Sequence, residues 1–589
     1  MEGINKLIQE AIESIKSVMT THQLAVAWSG GKDSSVVLGL VLQAAKALKM
    51  TGVKFQPIIV THGDTTVENP EIRLYADTEM RRIRRFGQKH GIPVEVLVAT
   101  PNLTESWQCR VIGGRAMPSF PGMNHDCTTS MKIKPMERIR KAFLGKGAAN
   151  VVTVIGTRFE ESPARTARMQ ERGETPDRPW AGDDGALFLS PIALWDMGDV
   201  WEYLGMCKAG DSDVTTFSNF EAVFRIYADA AGTTCAVVGD MASKGKSKPC
   251  GARTGCWCCT PIGRDKSAEA MIEGDERYAY MRRLNHLQRF LVNTRWDLTR
   301  RLWLGRTLDD HGYVAVQPDV YSPDMLRDLL RYCLTLDAEE QEAAGALGIP
   351  PRFQIIDGRT LLTIDAMWSL QGYHAAFEAL RVYRDIVIEG NRYPVPEIEE
   401  VQRPKVLPKT RYLYIGTPYA EDTQLIGLRD TVLEVVSEPG SGCMGTRETR
   451  DGRIIMDVNT SLAFDIDEEA VELFFMFEFD RVLGEQAEGH YGGPTAGYLF
   501  YARMGMLSVA PQAVSTVDEI LRRTWWKWHN GWFGQISTER LLEASAPVRG
   551  EPQTPSEEAV PMKTVEVSSE TVIEESVLIG QGDLFKAAA

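Results

Sequence analysis

The residues with the clearest chemical potential stand near the amino terminus, in the run Ser29-Gly30-Gly31-Lys32-Asp33-Ser34. It follows an apolar segment at 24–28 and precedes another at 36–42, so we predict a strand, a tight turn and a buried helix. Two adjacent glycines let the backbone approach a phosphate without a Cβ clash. The helix start adds free N–H groups and partial positive charge, and Lys32 adds a cation. The spacing differs from that of a Walker A loop, and the alternative is an ordinary tight turn.

A second reactive group is the cysteine block, which contains Cys235, Cys250, Cys256, Cys258 and Cys259. Cys256 and Cys259 form a C-x-x-C pair, whose thiolates reach one metal centre. A linker rich in Gly, Ser and Lys lets Cys235 and Cys250 fold onto that pair, which leaves Cys258 spare. Three interpretations stay open at this point: a [4Fe–4S] cluster, a structural zinc site, or a set of free redox thiols.

Charged residues follow two further apolar runs, where predicted strands end. Asp64 stands in the first polar loop and is a candidate contact for adenosine or Mg²⁺, although a loop with a helix cap is the alternative. The second strand end exposes Arg158 and Arg165 beside carboxylates, which suits polyphosphate recognition. Its alternative is an Arg/Glu network that caps a helix. Cys127 opens a basic helix start, where a thiol can be reactive, but a lone cysteine is more often buried and inert.

The elements that must position these residues alternate between strand and helix from residue 24 to about 205, which predicts an α/β fold with a doubly wound parallel sheet. An amphipathic helix precedes it, with Ile4, Leu7, Ile8, Ile12 and Ile15 on one face. The predicted organisation is an α/β domain at 1–205, a cysteine-rich segment at 206–275, a basic helical extension at 276–400, a smaller α+β region at 401–545, and a disordered tail at 546–589.

Composition limits the classes of function. The chain of 589 residues has a formal net charge of −15, which argues against loose nucleic-acid binding by the whole surface. Its ten cysteines are too few for a disulfide scaffold. No apolar run reaches the length of a membrane span, so we expect a cytoplasmic protein with no membrane contact.

Two stretches suggest macromolecular partners. Residues 277–306, predicted as long helices, carry eight arginines against the single acid Asp297, which indicates a nucleic-acid-binding surface or a helix paired with acidic neighbours. Near the carboxyl terminus, Gln581, Leu584 and Phe585 match the pentapeptide that binds the bacterial sliding clamp. A disordered tether that ends in two apolar anchors suits such docking, although five residues are a weak pattern.

Taken together in their order, these motifs resemble the DndC and SspD type of DNA phosphorothioation protein, a relative of phosphoadenylyl-sulfate reductase within the pyrophosphate-loop (PP-loop) ATP pyrophosphatase superfamily. The S-G-G-K-D-S loop, the D-T-T-V-E-N-P turn, C-T-T-S-M-K-I-K-P, G-T-R-F-E-E-S-P-A-R and G-C-W-C-C-T-P-I-G-R carry the resemblance. It covers about residues 20 to 380. It implies an ATP-using sulfurtransferase that replaces a non-bridging oxygen of the DNA backbone by sulfur.

The resemblance also implies roles for residues. Ser29, Gly30, Gly31, Lys32, Asp33 and Ser34 would hold ATP with Mg²⁺, and Cys235, Cys250, Cys256 and Cys259 would ligate a [4Fe–4S] cluster. We assign Asp64, Arg158 and Arg165 to the ATP site and treat Lys32, Asp33 and Cys127 as catalytic candidates. The implied partners are DNA, a cysteine desulfurase and other subunits of the modification system. The alternatives are a sulfonucleotide reductase, a tRNA thiolation enzyme, or a nucleotide-binding assembly subunit without chemistry of its own.

Overall fold

The structure is a computed structural model that describes residues 2–117, 126–144, 150–161, 163–182, 185–231, 255–417, 428, 445–448, 454–457, 464–509, 511–533 and 536–550. Cys235 and Cys250, and the predicted clamp motif with Gln581, Leu584 and Phe585, lie outside these residues. Within the described part of the chain, no helix is long and apolar enough to cross a membrane.

The amino-terminal half is built on a six-stranded sheet. Its strands are β1 Gln23–Ala27, β2 Ile58–Gly63, β3 Val94–Ala99, β4 Val151–Val154, β5 Trp180–Ala181 and β6 Leu187–Leu189. The order is β3-β2-β1-β4-β6-β5, and all neighbours are parallel except β5 and β6. Strand order reverses between β1 and β4, so a crevice forms at the carboxyl ends of these strands, where such sheets bind ligands. The prediction of an α/β fold with a largely parallel sheet is confirmed.

Helices cover this sheet. They are α1 Glu2–Met19, α2 Lys32–Met50, α3 Pro70–His90, α4 Asp126–Thr128, α5 Lys134–Leu144, α6 Pro163–Glu171, α7 Met197–Ala209 and α8 Glu221–Ala231. Helix α1 buries Ile4, Ile8, Ile12 and Ile15 against the same apolar core as α2, as the sequence predicts. Helix α2 is buried along most of its length, so the turn that precedes it is held rigidly.

Helices and short strands continue after the cysteine block. The helices are α9 Lys266–Gly274, α10 Arg282–Asn293, α11 Pro323–Leu347, α12 Gly358–Gln371, α13 Glu378–Tyr383, α14 Glu468–Phe477, α15 Phe479–Ala487, α16 Ala496–Arg503, α17 Pro511–His529 and α18 Thr538–Ala544. The strands are β7 Arg301–Leu308, β8 Tyr313–Tyr321, β9 Arg411–Tyr414, β10 Gly445–Glu448, β11 Ile454–Asp457, β12 Asp465–Ile466 and β13 Leu507–Ser508.

The prediction of long helices throughout 277–306 was wrong at its carboxyl end. Helix α10 ends at Asn293, and residues 301–308 form strand β7, which pairs with β8 in an antiparallel sheet completed by β9. Trp303 and Leu304 bury their side chains in the core beneath this sheet. The pairing joins the predicted helical extension at 276–400 to the region predicted at 401–545.

A second large core joins the two halves of the chain. It is formed by helices α10 to α17 and by the segment 107–117, which follows β3. Trp257 and Cys258 of the cysteine block are buried in it, and Trp107 packs edge-on against Trp257 with 5.1 Å between the ring centroids. The described part of the cysteine block is therefore anchored in the helical core.

Candidate nucleotide loop and cysteine site

The loop at residues 29–34 has the shape that an anion requires. Gly30 has a φ of 75°, which only glycine adopts without strain. The Ser34 hydroxyl accepts from the Ser29 amide at 3.2 Å and donates to the Gly31 carbonyl at 3.0 Å, which closes the turn. Gly31 caps helix α2 without a side-chain hydrogen bond. Because first-turn N–H groups have no carbonyl one turn earlier, those of α2 face the crevice as anion donors.

Asp33 is the centre of a charged network behind the loop. Its carboxylate accepts from Lys32 Nζ and from Arg158 Nε, each at 2.7 Å. The prediction that the end of β4 exposes Arg158 was wrong, since this side chain is only 1% exposed. Strands β1 and β4 are neighbours, so the residue after β4 reaches the first turn of α2 and holds it there. Arg158 thus connects the loop to the sheet. The carboxylate of Glu160 also lies 3.8 Å from the Arg158 guanidinium, which corresponds to the alternative prediction of an Arg/Glu network.

Gly156 and two tyrosines complete the surroundings of the loop. A Cβ built on Gly156 would lie 2.9 Å from the carbonyl carbon of Asp33 and 3.1 Å from the Ser34 nitrogen, so glycine is required for this close approach. The Tyr75 ring lies 3.6 Å from a Cβ built on Gly30, and Lys32 Nζ lies 6.0 Å from the centre of the Tyr227 ring. The loop is therefore flanked on one side by the backbone at Gly156 and on the other by the rings of Tyr75 and Tyr227.

The turn after β2 stands at the same edge of the sheet. Asp64 accepts from the Thr66 amide at 2.7 Å and pairs with Arg73 at 3.4 Å. This is an Asx turn within the loop, whereas Asn69 caps helix α3 by accepting from the Glu71 amide, and the Asp64 carboxylate stays 15% exposed beside the crevice. Thr66 adopts a φ of 66°, which is uncommon for a residue other than glycine and marks a constrained turn.

This turn carries the cysteine block. Glu68 forms an isolated antiparallel bridge with Cys256, and the Trp257 amide donates to the Val67 carbonyl at 3.1 Å. The Cys259 amide donates to the Cys256 carbonyl at 3.0 Å, so the C-x-x-C pair is a tight turn. The loop at 29–34 and the cysteine turn are therefore attached to adjacent strands, β1 and β2, at one edge of the sheet.

Burial keeps the cysteine thiols protonated in the metal-free protein. Desolvation raises the pKa of Cys256 to about 11, although nearby Lys132 opposes the shift. Burial raises the pKa of Cys258 well above its usual range, because this thiol points into the apolar core. Burial also raises the pKa of Cys259, and the Cys127 thiol is close enough to add to that shift. Cys127, Cys256 and Cys259 all contribute to the shift at Cys258, so the four thiols share one electrostatic environment, although the Cys258 side chain is buried in the apolar core.

Helix α10 holds the cysteine turn from behind. Gln288, which is 1% exposed, donates from Nε2 to the carbonyls of Cys259 at 2.8 Å and Ile262 at 3.2 Å. Arg295 donates to the Thr260 carbonyl at 3.2 Å. The carbonyls that follow the C-x-x-C pair are thereby fixed by a helix about 30 residues further along the chain.

The described donors fit half of a four-thiolate centre. Cys256 and Cys259 emerge from one turn, and a metal that binds there would displace the protons of their thiols, as thiolate ligation requires. In the described ranges, no three His, Cys, Asp or Glu side chains are grouped closely enough to hold a metal ion. The two other predicted ligands, Cys235 and Cys250, lie outside the described residues, as does the side chain of Arg165 in α6. Cys127 is exposed at the start of α4.

Five of the eight arginines of residues 277–306 form ion pairs with acidic residues of the chain, while Arg282 and Arg289 are exposed. The ion pairs are Arg277–Asp275, Arg283–Glu339, Arg295–Glu400, Arg300–Asp297 and Arg306–Asp319. Arg301 is 4% exposed and stacks over the Tyr321 ring at 4.6 Å. This arrangement matches the alternative in which the basic stretch pairs with acidic neighbours.

Comparison with known proteins agrees with the sheet and the loop. Residues 23–210, about a third of the chain, match the family model of the phosphoadenosine phosphosulfate reductase domain. This part of the chain is therefore similar to that domain, and it contains the largely parallel six-stranded sheet. No curated protein matches the chain.

Solved structures give distant likenesses. The crystal structure of phosphoadenylyl-sulfate reductase from Candida auris, a phosphate complex, is 14% identical, with a TM-score of 0.22, and the match covers 37% of this chain and 95% of that one. The FMN adenylyltransferase of Candida glabrata, in complex with FMN and the ATP analogue AMPCPP, is also 14% identical with a TM-score of 0.22, and the match covers 35% of this chain and 59% of that one. The same enzyme with FAD and inorganic pyrophosphate gives equal values.

The sequence did not predict the roles of several residues at the site. Gly156 ends an apolar run, and a glycine at the end of a strand on the ligand-binding edge is a detectable signal of close backbone approach. Tyr227 and Gln288 carry no such signal, because each reaches the site only through tertiary packing.

Proposed function

We propose that this protein is an ATP-dependent sulfurtransferase of a DNA phosphorothioate modification system. One observation carries the proposal: the cysteine turn is bridged to the turn after β2, and the loop at residues 29–34 follows the neighbouring strand β1. Nucleotide chemistry and sulfur chemistry would then share one edge of the sheet. The match to a sulfonucleotide-reductase domain agrees with both halves of the proposal.

The reaction that this arrangement suits has two steps. A non-bridging oxygen of a DNA phosphate attacks the α-phosphorus of ATP, so a P–O bond forms and pyrophosphate leaves. Hydrosulfide then attacks the adenylated DNA phosphorus, so a P–S bond forms and AMP leaves with the original oxygen. Adenylation is needed because that oxygen is otherwise a poor leaving group. The chain contributes position and charge neutralisation, through the first-turn N–H groups of α2 and through Lys32.

The charged network sets the roles within the loop. In the free protein, Lys32 rests on Asp33, and ATP phosphates would compete with that carboxylate for the ammonium group. Arg158 keeps Asp33 in place, so the loop does not have to reorganise when Lys32 moves. Asp64 and Asp33 are the carboxylates that would hold Mg²⁺ near the phosphates.

The cysteine side of the proposal uses Cys256 and Cys259 as two ligands of a [4Fe–4S] cluster, with Cys235 and Cys250 as the other two. Bound there, the cluster would supply a site for sulfide or for electrons beside the nucleotide. Burial of the turn and its fixation by Gln288 keep both thiols in position before the cluster is bound. Cys127 is exposed, which suits a sulfur carrier.

The proposed partners follow from the same function. DNA is the acceptor, a cysteine desulfurase supplies sulfur as a persulfide that a two-electron thiol reductant releases as hydrosulfide, and further subunits of the modification system position the substrate. The sliding clamp would bring the protein to DNA through Gln581, Leu584 and Phe585. A pull-down with the purified clamp tests the last point, and equal retention of the chain without residues 581–589 would contradict it.

Pyrophosphate release measures the first step directly. ATP is supplied with DNA, with tRNA, with a sulfonucleotide, or without acceptor. We expect release that depends on DNA, and a loss of about 100-fold in Lys32→Ala, the cost of removing one preorganised positive group. Lys49→Ala is the matched control, because Lys49 is an exposed lysine at the far end of the same helix. Full activity of Lys32→Ala would contradict the assignment of the loop.

Sulfonucleotide reduction is the second candidate, and the family match over residues 23–210 favours it. In that case a sulfonucleotide occupies the loop and no pyrophosphate is released. The more than 300 residues beyond the matched domain, packed on it through the core around Trp257, favour a macromolecular substrate instead. tRNA thiolation predicts pyrophosphate release that depends on tRNA, so the same assay separates the three.

A further inference from the structure

Helix α14 is apolar on two opposite faces. Val471 and Phe474, which are 7% and 1% exposed, attach it to the large helical core. On the other face, Leu473, Met476 and Phe477 are 56%, 71% and 67% exposed. We call these three residues the α14 face. They are spaced as i, i+3 and i+4, so they form one continuous stripe, and a helix apolar on both sides is normally covered on both sides.

The composition of the α14 face is that of a protein contact. Phenylalanine and methionine are enriched at the centres of interfaces, and exposed methionine adapts its shape to a partner. The neighbouring segment packs on α14 through Tyr383 against Phe475, with 5.4 Å between the ring centroids. That segment also ends in exposed apolar residues, Val387 and Ile388. Single exposed apolar residues are common on protein surfaces, but a contiguous group of exposed apolar residues usually marks a binding surface.

The charge around the α14 face selects the kind of partner. Glu468, Glu469 and Glu472 are exposed on the same half of the helix, and the structure gives them no ion pair with any described residue. Asp480, which is 87% exposed, follows at the carboxyl end and contacts Arg384. An apolar stripe with carboxylates along its margin is complementary to an apolar stripe with lysine and arginine along its margins.

We propose that the α14 face binds a basic amphipathic helix of a partner protein. A second copy of the chain would place the same carboxylates opposite each other, which charge repulsion disfavours. The chain's own residues 551–589 contain eight acidic and two basic residues, so they share the sign of the face and are also disfavoured. An anionic membrane is disfavoured for the same reason.

The test uses the full-length protein and a defined probe, a peptide of about 18 residues with leucine at i, i+3, i+4 and i+7 and lysine elsewhere. Hydroxyl-radical footprinting with mass spectrometry reports on Met476. We expect Met476 to be oxidised readily in the free protein and protected by the leucine–lysine peptide. The same peptide with glutamate in place of lysine should give no protection.

Affinity measurements on variants locate the contact. F477Q should weaken binding of the leucine–lysine peptide by about tenfold, as truncation of a central anchor does. E469Q with E472Q should weaken it about threefold and flatten its salt dependence. L347Q is the matched control, because Leu347 is 64% exposed at the end of α11, outside the α14 face, and this variant should bind like the wild type.

Four results would overturn the proposal. They are equal binding by F477Q and wild type, equal binding of the lysine and glutamate peptides, protection of Met476 in the free chain at low concentration, and protection that grows with protein concentration. The last two would assign the α14 face to another segment of this chain and to a second copy, respectively.

Discussion

Gly156 follows strand β4 and lies directly against the first turn of helix α2. In Gly156→Ala the new Cβ would lie 2.9 Å from the Asp33 carbonyl carbon and 3.0 Å from its oxygen, whereas ordinary contact begins at 3.4 Å. The neighbour is backbone and cannot rotate away, so the loop must retreat by about 0.5 Å. Overpacking of this kind costs about 1–3 kcal/mol of folding free energy.

The effect on activity follows from the same displacement. A shift of about 1 Å in a positioned group costs roughly 100-fold in rate, so a shift of half that size should cost about tenfold. We therefore expect Gly156→Ala to release pyrophosphate about tenfold more slowly, with the loss in both kcat and kcat/KM because the loop contacts the reacting phosphates. The assay is pyrophosphate release at saturating and at limiting ATP, together with thermal unfolding.

Gly205→Ala is the matched control. Gly205 lies in helix α7, and nothing lies within 4 Å of a Cβ built on it. Alanine in a helix interior should stabilise the protein by about 0.5–1 kcal/mol and leave the rate unchanged. If Gly156→Ala kept both the stability and the rate of the wild type, the loop would not be held against β4 as described.

Three further predictions concern the network, the cysteine turn and pH. Arg158→Met removes a buried guanidinium that contacts Asp33 at 2.7 Å, and we expect about 3 kcal/mol of destabilisation in urea unfolding; a variant as stable as the wild type would show that the pair contributes nothing. Gln288→Met keeps the volume but loses both hydrogen bonds to the cysteine turn, so in metal-free protein Cys259 should react several-fold faster with iodoacetamide by peptide mass spectrometry, while Gln317→Met, at a half-buried position on strand β8 where the side chain bonds Asp319 instead, should not change it. Burial raises the pKa of Asp365 to about 7, so the folded protein keeps a proton that the unfolded chain loses near pH 4. The free energy of unfolding should therefore be highest below pH 4 and fall by roughly 1.4 kcal/mol per pH unit as the pH rises to about 7. Asp365→Asn, which can still bond Ala379 and Tyr501, should flatten that part of the pH dependence of unfolding.

Local sequence signals predict the parts of the fold that depend on short stretches of chain. The glycine pair between two apolar runs predicts the loop and the buried helix α2, and the isoleucines of α1 predict its docked face. Alternating strands and helices predict the parallel sheet, and a parallel sheet brings successive strand ends to one edge. The location of the loop and of Asp64 at the same edge follows from this.

Long-range partners could not be predicted from the sequence in this way. The local sequence predicts that Arg158 is an exposed cation after a strand. It is buried because Asp33, which lies 125 residues earlier, faces it across β1 and β4. The basic composition of residues 301–308 predicts that the preceding helix continues, but these residues form a strand because they pair with β8. Gln288 has no local motif, and its role depends on the approach of α10 to the cysteine turn.

Sulfur transfer to the DNA backbone is tested most directly by mass spectrometry of nuclease-digested DNA. Cells with the wild-type gene and cells with the Lys32→Ala gene are compared, with Lys49→Ala as the control. We expect phosphorothioate-linked dinucleotides in the wild type and the control, and none in Lys32→Ala. Equal amounts in all three strains, or none in the wild type while its partner proteins are present, would contradict it.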